Sequence, residues 1–379
     1  MKSMISRLFR QISPAPNCHF EILLAGNPTG LNVLVLTEYV NATYFISFDI
    51  PMRRLHASGK VNLAVASQQL VQTNGDGCWE RWADEFRPDI VVMTRYGQPH
   101  GAAILDSFRR RGVPVIYHID DDLLEVPDSL GAEIRQRQGA YDVIQARRYL
   151  LANCDLIYAS TAYLATTLQG RFPGQPVFHG IYAPYLGESI VPLSSEANTH
   201  PVIGYMGSKG HQQDLDLAVP ALVRLLEERP TLGFEVFGTI RMPPALERFG
   251  SRVRSRTVQK SYMEFLATLA GLGWNIGLAP LVDAPFNRCK APTKFIEYTA
   301  CGIPVLASRL PVYEEAIPKN GGILVDQDWY GPMIEYLDNP QQRQSAVLNS
   351  RRHCSSRYSP EVLQQQLIDV FKSVKEDYQ

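Results

Sequence analysis

The sequence lacks several features that would assign it to a class of protein at once. No run of apolar residues is long enough to cross a bilayer, and no segment has the pattern of a signal peptide with its cleavage site. A large net charge is also absent, because 37 Lys and Arg residues against 38 Asp and Glu residues give a formal net charge of -1. A general affinity for nucleic acid is therefore not expected. We predict a cytoplasmic protein that does not bind nucleic acid.

Paired cysteines are absent as well. The six cysteines are scattered along the chain and form no Cys-x-x-Cys motif, which argues against a disulfide framework or a zinc site. We interpret them as reduced thiols. They are Cys18, Cys78, Cys154, Cys289, Cys301 and Cys354.

The sequence does contain enough apolar material for two large cores. Its 379 residues are 45% hydrophobic, and this length suits two domains. Apolar runs alternate with helical patterns, which is typical of parallel sheets covered by helices on both faces. The predicted strands are 32–37, 61–66, 89–94, 114–119 and 155–160 in the first half, and 201–207, 234–239, 275–280, 304–308 and 322–325 in the second, with helices such as 101–111 and 213–228 between them. These patterns predict an α/β protein with two Rossmann-like domains.

We place the domain boundaries where the composition changes. Residues 20–186 form the first Rossmann-like domain and residues 201–358 the second. Residues 187–200, rich in Ser, Pro, Glu and Asn, are predicted to be a linker. Residues 359–379 are predicted to form a closing helix, because Ser359 and Pro360 suit its first turn and its apolar residues share one face.

Residues 1–19 are predicted to be an amphipathic extension. Their apolar residues up to Ile12 fall on one helical face, with basic residues elsewhere on the wheel. This pattern fits peripheral contact with the inner face of a membrane through residues 1–13. It fits equally well a terminal helix that packs on its own domain or on a partner.

The segment Lys290 to Ser308, with the sequence KAPTKFIEYTACGIPVLAS, is the most informative part of the chain. Pro292 suits the first turn of a helix, and a Gly-Ile-Pro turn ends that helix before a buried strand. The unpaired amides of the first turn, together with Lys290 and Lys294, predict a site for phosphate. Glu297, one turn further on, is suited to bind sugar hydroxyls. The alternative is an exposed ion pair between Lys294 and Glu297.

The pattern Lys-x-x-Glu-Tyr-x-Ala-x-Gly-Ile-Pro-Val-x-Ala-Ser in this segment closely resembles the donor-site signature of GT-B fold retaining glycosyltransferases, family 4, also called group 1. The resemblance implies two Rossmann-like domains that face across a cleft, an N-terminal acceptor domain and a C-terminal donor domain. It also implies a C-terminal helix that crosses back to the N-terminal domain. The donor would be a nucleoside diphosphate sugar, transferred with retention of configuration, without a metal ion and with no cofactor besides this co-substrate.

Three positions depart from the family pattern, and one of them is Gln212 or Gln213, which stands where the family has a Lys. In the loop Gly204 to His211, where Gly207, Ser208 and Lys209 are candidate donor-binding residues, Ser208 stands where the family has an Arg. Other basic residues near the donor would have to replace it; the candidates are Lys209, Arg288, Lys290 and Lys294. Cys289 occupies the position of the first of the family's two glutamates, so we predict that Asn287, Lys290 and loop amides contact the sugar.

Asp120, Asp121 and Asp122 follow a predicted strand of the first domain. The resemblance implies that Asp120 and Asp121 orient the acceptor near the reacting centre. Two alternatives remain open, which are a metal site and capping of the following segment. On the same side, the candidate acceptor residues are Glu38, Asn41, Arg95 and His118, although Arg95 is equally suited to a structural salt bridge and His118 to the core.

The resemblance implies that Lys290, Lys294, Asp120 and Asp121 form the catalytic group. The acceptor is not predicted, and it could be a lipid-linked glycan, a polysaccharide, a protein or a small molecule. Two other functions remain open. One is a nucleotide-sugar epimerase and the other is a catalytically silent subunit that binds without transfer.

Overall fold

Two sheets covered by helices form the protein. The computed structural model describes residues 20–187, 200–257 and 261–378, and within these ranges it contains one sheet of seven strands and one of six. The predicted extension 1–19 and nearly all of the predicted linker 187–200 lie outside the described residues. No helix in the described ranges is long and apolar enough to span a membrane.

The N-terminal sheet has the strand order β1-β3-β2-β4-β5-β6-β7, and every pairing is parallel except that of β1 with β3. Strands β3, β4 and β5 are buried along their whole length, which explains why their sequences are mostly apolar. The strands are β1 Ile22–Leu24, β2 Leu31–Thr37, β3 Val61–Ser67, β4 Ile90–Thr94, β5 Val115–Ile119, β6 Leu156–Ala159 and β7 Val177–His179. The helices are Ala42–Tyr44, Ile50–Ala57, Gln68–Asn74, Cys78–Phe86, Gly101–Arg110, Ala132–Gln138, Tyr141–Asn153 and Ala162–Arg171, with a π-helix at Phe45–Asp49 and a 3₁₀-helix at Asp128–Leu130.

The C-terminal sheet is parallel throughout, with the order β10-β9-β8-β11-β12-β13. Its strands are β8 Val202–Gly207, β9 Gly233–Gly238, β10 Val253–Arg256, β11 Ile276–Ala279, β12 Val305–Ser308 and β13 Ile323–Val325. Its helices are Gln212–Asp216, Val219–Glu228, Pro244–Glu247, Tyr262–Gly271, Pro285–Arg288, Thr293–Ala300, Pro311–Glu314, Tyr330–Asp338 and Pro340–Arg357, with 3₁₀-helices at Lys209–His211 and Gly250–Arg252.

The single helix predicted for residues 213–228 is wrong. The structure has two helices, which end at Asp216 and begin at Val219. Pro220 lies in the first turn of the second helix, where its missing N–H leaves no hydrogen bond unmade. The two helices thus meet at a break that a regular apolar pattern does not reveal.

The closing helix, Pro360–Asp377, crosses back to the N-terminal domain as predicted. Ser359 caps it by accepting a hydrogen bond from the Val362 amide at 3.3 Å. Leu363, Leu367 and Phe371 are buried in one cluster with side chains of the N-terminal sheet and of the helix Ile50–Ala57. This burial ties the end of the chain to the first domain, because each apolar side chain contributes about 1.5 to 3 kcal/mol.

Candidate active site between the two domains

A cavity of about 770 Å³ lies between the two domains. Its lining comes from loops at the carboxyl ends of strands in both sheets, such as Arg95 after β4, Asp120 after β5 and Ser208 after β8. Loops at these ends are the usual ligand site of open α/β sheets, and the volume suits a small-molecule ligand. We call the residues that each domain contributes the N-terminal wall and the C-terminal wall.

The helix Thr293–Ala300, which we call the signature helix, supports the C-terminal wall. Pro292 is its N-cap, not part of its first turn as the sequence predicted, and the helix begins one residue later. The Tyr298 hydroxyl donates to the Leu278 carbonyl at 3.0 Å and accepts from the Met206 amide at 2.9 Å. These two hydrogen bonds fix the helix against the central strands β11 and β8. Lys294 and Glu297 therefore line the cavity from a rigid element.

The cationic groups of the C-terminal wall are crowded together. Burial, with repulsion from Lys290 added and attraction from Asp214 opposing both, lowers the pKa of Lys294 to about 8. Lys294 in turn is the largest cause, ahead of burial, of a pKa of about 4 for His211. Nδ1 of His211 lies 2.8 Å from Asp214 Oδ2. The wall therefore keeps positive charge where protein groups neutralise it only in part, and an anionic ligand would relieve this.

Glu297 is buried, with 8% of its surface exposed, and burial raises its pKa to about 7 against the effects of a Tyr262 hydrogen bond and of Lys294. The alternative of an exposed ion pair between Lys294 and Glu297 is wrong, since Glu297 is not exposed and the pair is absent from the ion pairs of the described residues. A buried carboxylate with spare acceptor capacity is suited to hydroxyl groups of a ligand.

Backbone groups complete the C-terminal wall. Gly238 has a φ of 119°, and a Cβ there would lie 2.4 Å from the Gly207 carbonyl oxygen. Only glycine fits this close approach. Gly207, Ser208 and Thr239 line the cavity here, whereas Lys209 is exposed and lies outside its lining.

The three consecutive aspartates of the N-terminal wall have different partners. Asp120 accepts hydrogen bonds from Arg95 at 3.0 and 3.1 Å and from the Tyr182 hydroxyl at 3.0 Å. Asp122 is bound by both terminal nitrogens of Arg171, at 2.6 and 2.9 Å. Asp121 alone faces the opposite domain, and its Oδ1 lies 3.6 Å from Lys290 Nζ.

These partners bear on the two alternatives for the triplet. No helix follows directly for Asp122 to cap, since the next helical turn begins at Asp128. Within the described residues, no group of three or more His, Cys, Asp or Glu side chains gathers in a way that could hold a metal ion. Arginines hold Asp120 and Asp122 at hydrogen-bond distance, whereas Asp121 lies in looser ion pairs, 3.6 Å from Lys290 and 3.9 Å from Arg95, so it is the carboxylate most available to a ligand.

The two domains also touch outside the pair of Lys290 and Asp121. The Thr161 hydroxyl donates to the Cys289 carbonyl at 3.0 Å, and the Cys289 side chain is buried in the core cluster of the N-terminal domain. Burial raises the pKa of this thiol to about 12. The domains also approach each other closely at a second point, because a Cβ at Gly210 of the C-terminal domain would lie 3.0 Å from Leu130 Cδ2 of the N-terminal domain. Cys289 is thus a packing residue between domains, so the position of the family's first glutamate has no carboxylate here.

Several predicted residues do not line the cavity. Arg288 is bound to Asp283 at 2.6 and 2.8 Å, and Asn287 donates to the Val282 carbonyl at 3.0 Å. Glu38 and His118 are buried behind the N-terminal wall, and burial lowers the pKa of His118 to about 4. Asn41 does line the cavity and caps a short helix by accepting from the Tyr44 amide at 3.2 Å.

Three residues that shape the site were not predicted from the sequence. Asp214 accepts hydrogen bonds from the Val282 amide at 2.9 Å and faces His211, so it holds the loop before the signature helix. Tyr182 binds Asp120, and Tyr262 faces Glu297. None belongs to a recognisable motif. Tyr262 directly follows Ser261, which caps its helix by accepting from the Glu264 amide, and this cap was the one available signal.

No protein-family model matches the chain. A GDP-mannose-dependent monoacylated alpha-(1-6)-phosphatidylinositol monomannoside mannosyltransferase of Corynebacterium glutamicum is 21% identical over 247 residues. That match covers 60% of this chain and 65% of the relative, which is just under two thirds of its length.

Among solved structures, sucrose-phosphate synthase from Thermosynechococcus elongatus has a TM-score of 0.67 and 13% identity, covering 90% of this chain and 99% of that one. The structure of Anabaena HepE in complex with UDP and glucose has a TM-score of 0.62 and 14% identity, covering 90% and 100%. These similarities confirm the fold that the sequence predicted, which is the two-domain GT-B fold.

Proposed function

We propose that the protein is a glycosyltransferase that moves a sugar from a nucleoside diphosphate sugar to an acceptor hydroxyl, with retention of configuration and without a metal ion. The observation that carries this proposal is the convergence of Lys290, Lys294 and the start of the signature helix on one cavity, with Glu297 one turn further on. A diphosphate satisfies the cations, and the ribose hydroxyls satisfy the buried carboxylate.

The C-terminal wall serves the step in which the donor breaks. As the bond between the sugar C1 and the diphosphate oxygen breaks, negative charge grows on the leaving phosphate. Lys290, Lys294 and the amides of the first helical turn stabilise this charge without reorganisation. These groups supply the stabilisation that a metal ion gives in other transferases, which supports metal independence.

The N-terminal wall serves the acceptor. The acceptor oxygen forms its bond to C1 on the same face that the phosphate leaves, and its proton passes to an oxygen of the leaving phosphate. Asp121 is placed to orient this hydroxyl, since its side chain is 21% exposed and faces the cavity. Asp120 holds Arg95 and Tyr182 behind it as a positioning residue.

The comparisons support the donor class without choosing the nucleotide. The bacterial relative is a GDP-mannose-dependent mannosyltransferase by name, whereas HepE was solved with UDP. We propose a role in glycan or polysaccharide biosynthesis on the cytoplasmic side, with a glycan, lipid-linked or small-molecule acceptor. Peripheral membrane contact through residues 1–13 is part of the same proposal.

The first experiment is a thermal-shift screen with UDP, GDP and their sugars, because a ligand that binds only the folded state raises its melting temperature. The donor that binds is then incubated alone with the protein. Slow hydrolysis supports a transferase, isomerisation indicates an epimerase, and absence of both binding and turnover indicates a silent subunit. Hydrolysis that is lost with EDTA and restored by manganese would contradict metal independence.

A further inference from the structure

The N-terminal wall has no free cation among the described residues that line the cavity. Its one basic residue is Arg95, which donates two hydrogen bonds to Asp120 and whose Nε lies 3.5 Å from Glu38. Burial opposes the charge of Arg95, but the surrounding carboxylates outweigh burial and raise its pKa. Its side chain is only 17% exposed. Arg95 is therefore already neutralised by its own domain.

The wall also has an apolar patch beside its polar residues Asn41, Thr43 and Tyr182. Val40, Ala42, Phe45 and Ile46 line the cavity, and Val40 is 37% exposed. They come from the loop and short helices that follow β2. Among the carboxylates of the wall, Asp121 pairs with the opposite domain, since its Oδ1 lies 3.6 Å from Lys290 Nζ, whereas its Oδ2 lies 3.9 Å from Arg95.

We infer that the acceptor is an uncharged hydroxyl compound with an apolar face, such as the sugar ring of a glycoside, and that this wall rejects phosphorylated sugars. The inference rests on the proposed function of the same cavity. A hydroxyl finds a hydrogen-bond acceptor in Asp121, and the C–H face of a sugar ring finds Val40 and Phe45. A phosphate on this wall would lie near carboxylates and no free cation. The hydrogen bonds that it makes to water in solution would therefore not be replaced by a cationic partner in the protein.

The test measures nucleoside diphosphate release by the full chain, with the donor that the thermal-shift screen identifies. The acceptor probes are octyl and methyl glycosides of glucose, mannose and galactose, each compared with the corresponding hexose 6-phosphate. We expect at least one glycoside to exceed its 6-phosphate in kcat/KM by about 100-fold or more. A 6-phosphate that equals or exceeds its glycoside overturns the inference. A panel in which no glycoside raises release above the rate with water overturns it as well.

A pair of variants tests the cause of the preference. Asp121→Asn removes the carboxylate from the wall, and we expect the ratio of glycoside to 6-phosphate to fall by about 10-fold. Asp283→Asn is the matched control, because Asp283 is exposed and bound to Arg288 outside the cavity lining. An unchanged ratio in Asp121→Asn, or an equal fall in both variants, contradicts the inference.

Failure of the proposed function is seen separately. Binding of UDP and GDP is read from the melting temperature, which needs no acceptor. A protein that binds neither nucleotide nor nucleotide sugar refutes the proposed function. A protein that binds and hydrolyses its donor but prefers phosphorylated sugars refutes only the inference about the acceptor.

Discussion

The two walls of the cavity differ in how their charges are balanced before any ligand binds. In the N-terminal wall, Arg95 and Asp120 neutralise each other at 3.0 Å. In the C-terminal wall, burial together with repulsion from Lys290 lowers the pKa of Lys294 to about 8. The cation of the N-terminal wall is thus neutralised by residues of its own domain, whereas the cations of the C-terminal wall are fully neutralised only when an anionic ligand binds.

This contrast explains how one cleft can handle two chemically different substrates. A wall with incompletely neutralised cations binds a diphosphate strongly, and binds it more strongly as negative charge grows during bond breaking. A wall whose charges are already paired adds little affinity for ions and leaves recognition to shape and hydroxyl bonds. The pair of Lys290 and Asp121, at 3.6 Å, joins the two walls, so the donor and Asp121 compete for the same lysine.

The largest effect is expected when a cation of the C-terminal wall is removed. In Lys290→Ala and Lys294→Ala, we expect turnover at saturating substrates to fall by about 30-fold to 1000-fold, which corresponds to about 2 to 4 kcal/mol in the transition state. The physical reason is that each ammonium group binds the leaving phosphate more tightly as the glycosidic bond breaks. The measurement is kcat of each purified variant, together with its melting temperature to confirm folding.

Lys209→Ala is the control for these two variants. Lys209 is exposed on the neighbouring loop and does not line the cavity, so its removal should change kcat by about two-fold or less. Near-normal rates in Lys290→Ala and Lys294→Ala would remove the phosphate role from this wall. A loss in Lys209→Ala as large as theirs would show that the loop moves into the cavity when the donor binds.

The next largest effect concerns Glu297, whose carboxylate should help nucleotide binding but lower the stability of the fold. Glu297→Gln should weaken nucleotide binding by about 10-fold to 100-fold, since a charged acceptor contributes about 1.5 to 3 kcal/mol to a hydrogen bond. The same variant should be more stable than the wild type at pH 8. Because burial raises the folded pKa of Glu297 to about 7, its stability contribution is lost as pH rises through 7, and ionised Glu297 costs about 1 to 3 kcal/mol at pH 8.

Isothermal titration and thermal melting at pH 5 and pH 8 measure the two effects on Glu297→Gln. The stability gain should disappear near pH 5, where the wild-type side chain is protonated. Unchanged nucleotide affinity would exclude Glu297 from the binding site. A variant that is less stable than the wild type at pH 8 would show that the carboxylate holds the fold together.

The fold could be predicted from the sequence where strands are buried on both faces. Strands β2 to β6 lie between neighbours, and their apolar runs match the predicted segments to within one residue or two. The strands that were missed, β1, β7 and β10, are all at sheet edges. They are three or four residues long and partly exposed, so they lack the continuous apolar pattern that identifies a central strand.

The site could be predicted only in part, because spacing along the chain does not reveal which partner a charge will choose. Lys290, Lys294 and Glu297 lie on or next to one helix, so their common position in the cavity follows from local structure. Asp120, Asp121 and Asp122 are adjacent in sequence, yet three different residues from distant segments bind them. Arg288 was a candidate because it is close to Lys290 in the sequence, but in the structure it binds Asp283, five residues earlier, and not the cavity.

The smallest expected effect concerns pH, and it probes the charged wall without changing a residue. Binding of a nucleotide sugar needs Glu297 ionised and Lys294 protonated. Affinity should rise with pH as Glu297 loses its proton near 7 and fall again as Lys294 loses its proton above about 8, so it should peak between these values. His211, with a pKa of about 4, stays neutral in this range and does not contribute to the pH dependence.

Because a nucleotide sugar carries no terminal phosphate that titrates near pH 6, the pH profile of its binding reports on groups of the protein. Calorimetric titration from pH 5.5 to 9.5 should show a change of about 10-fold on each side of the peak, with the acid limb missing in Glu297→Gln and the alkaline limb missing in Lys294→Ala. A profile that keeps both limbs in both variants would assign the pH dependence to other groups. It would also contradict the view that the charges of the C-terminal wall are balanced only by a ligand.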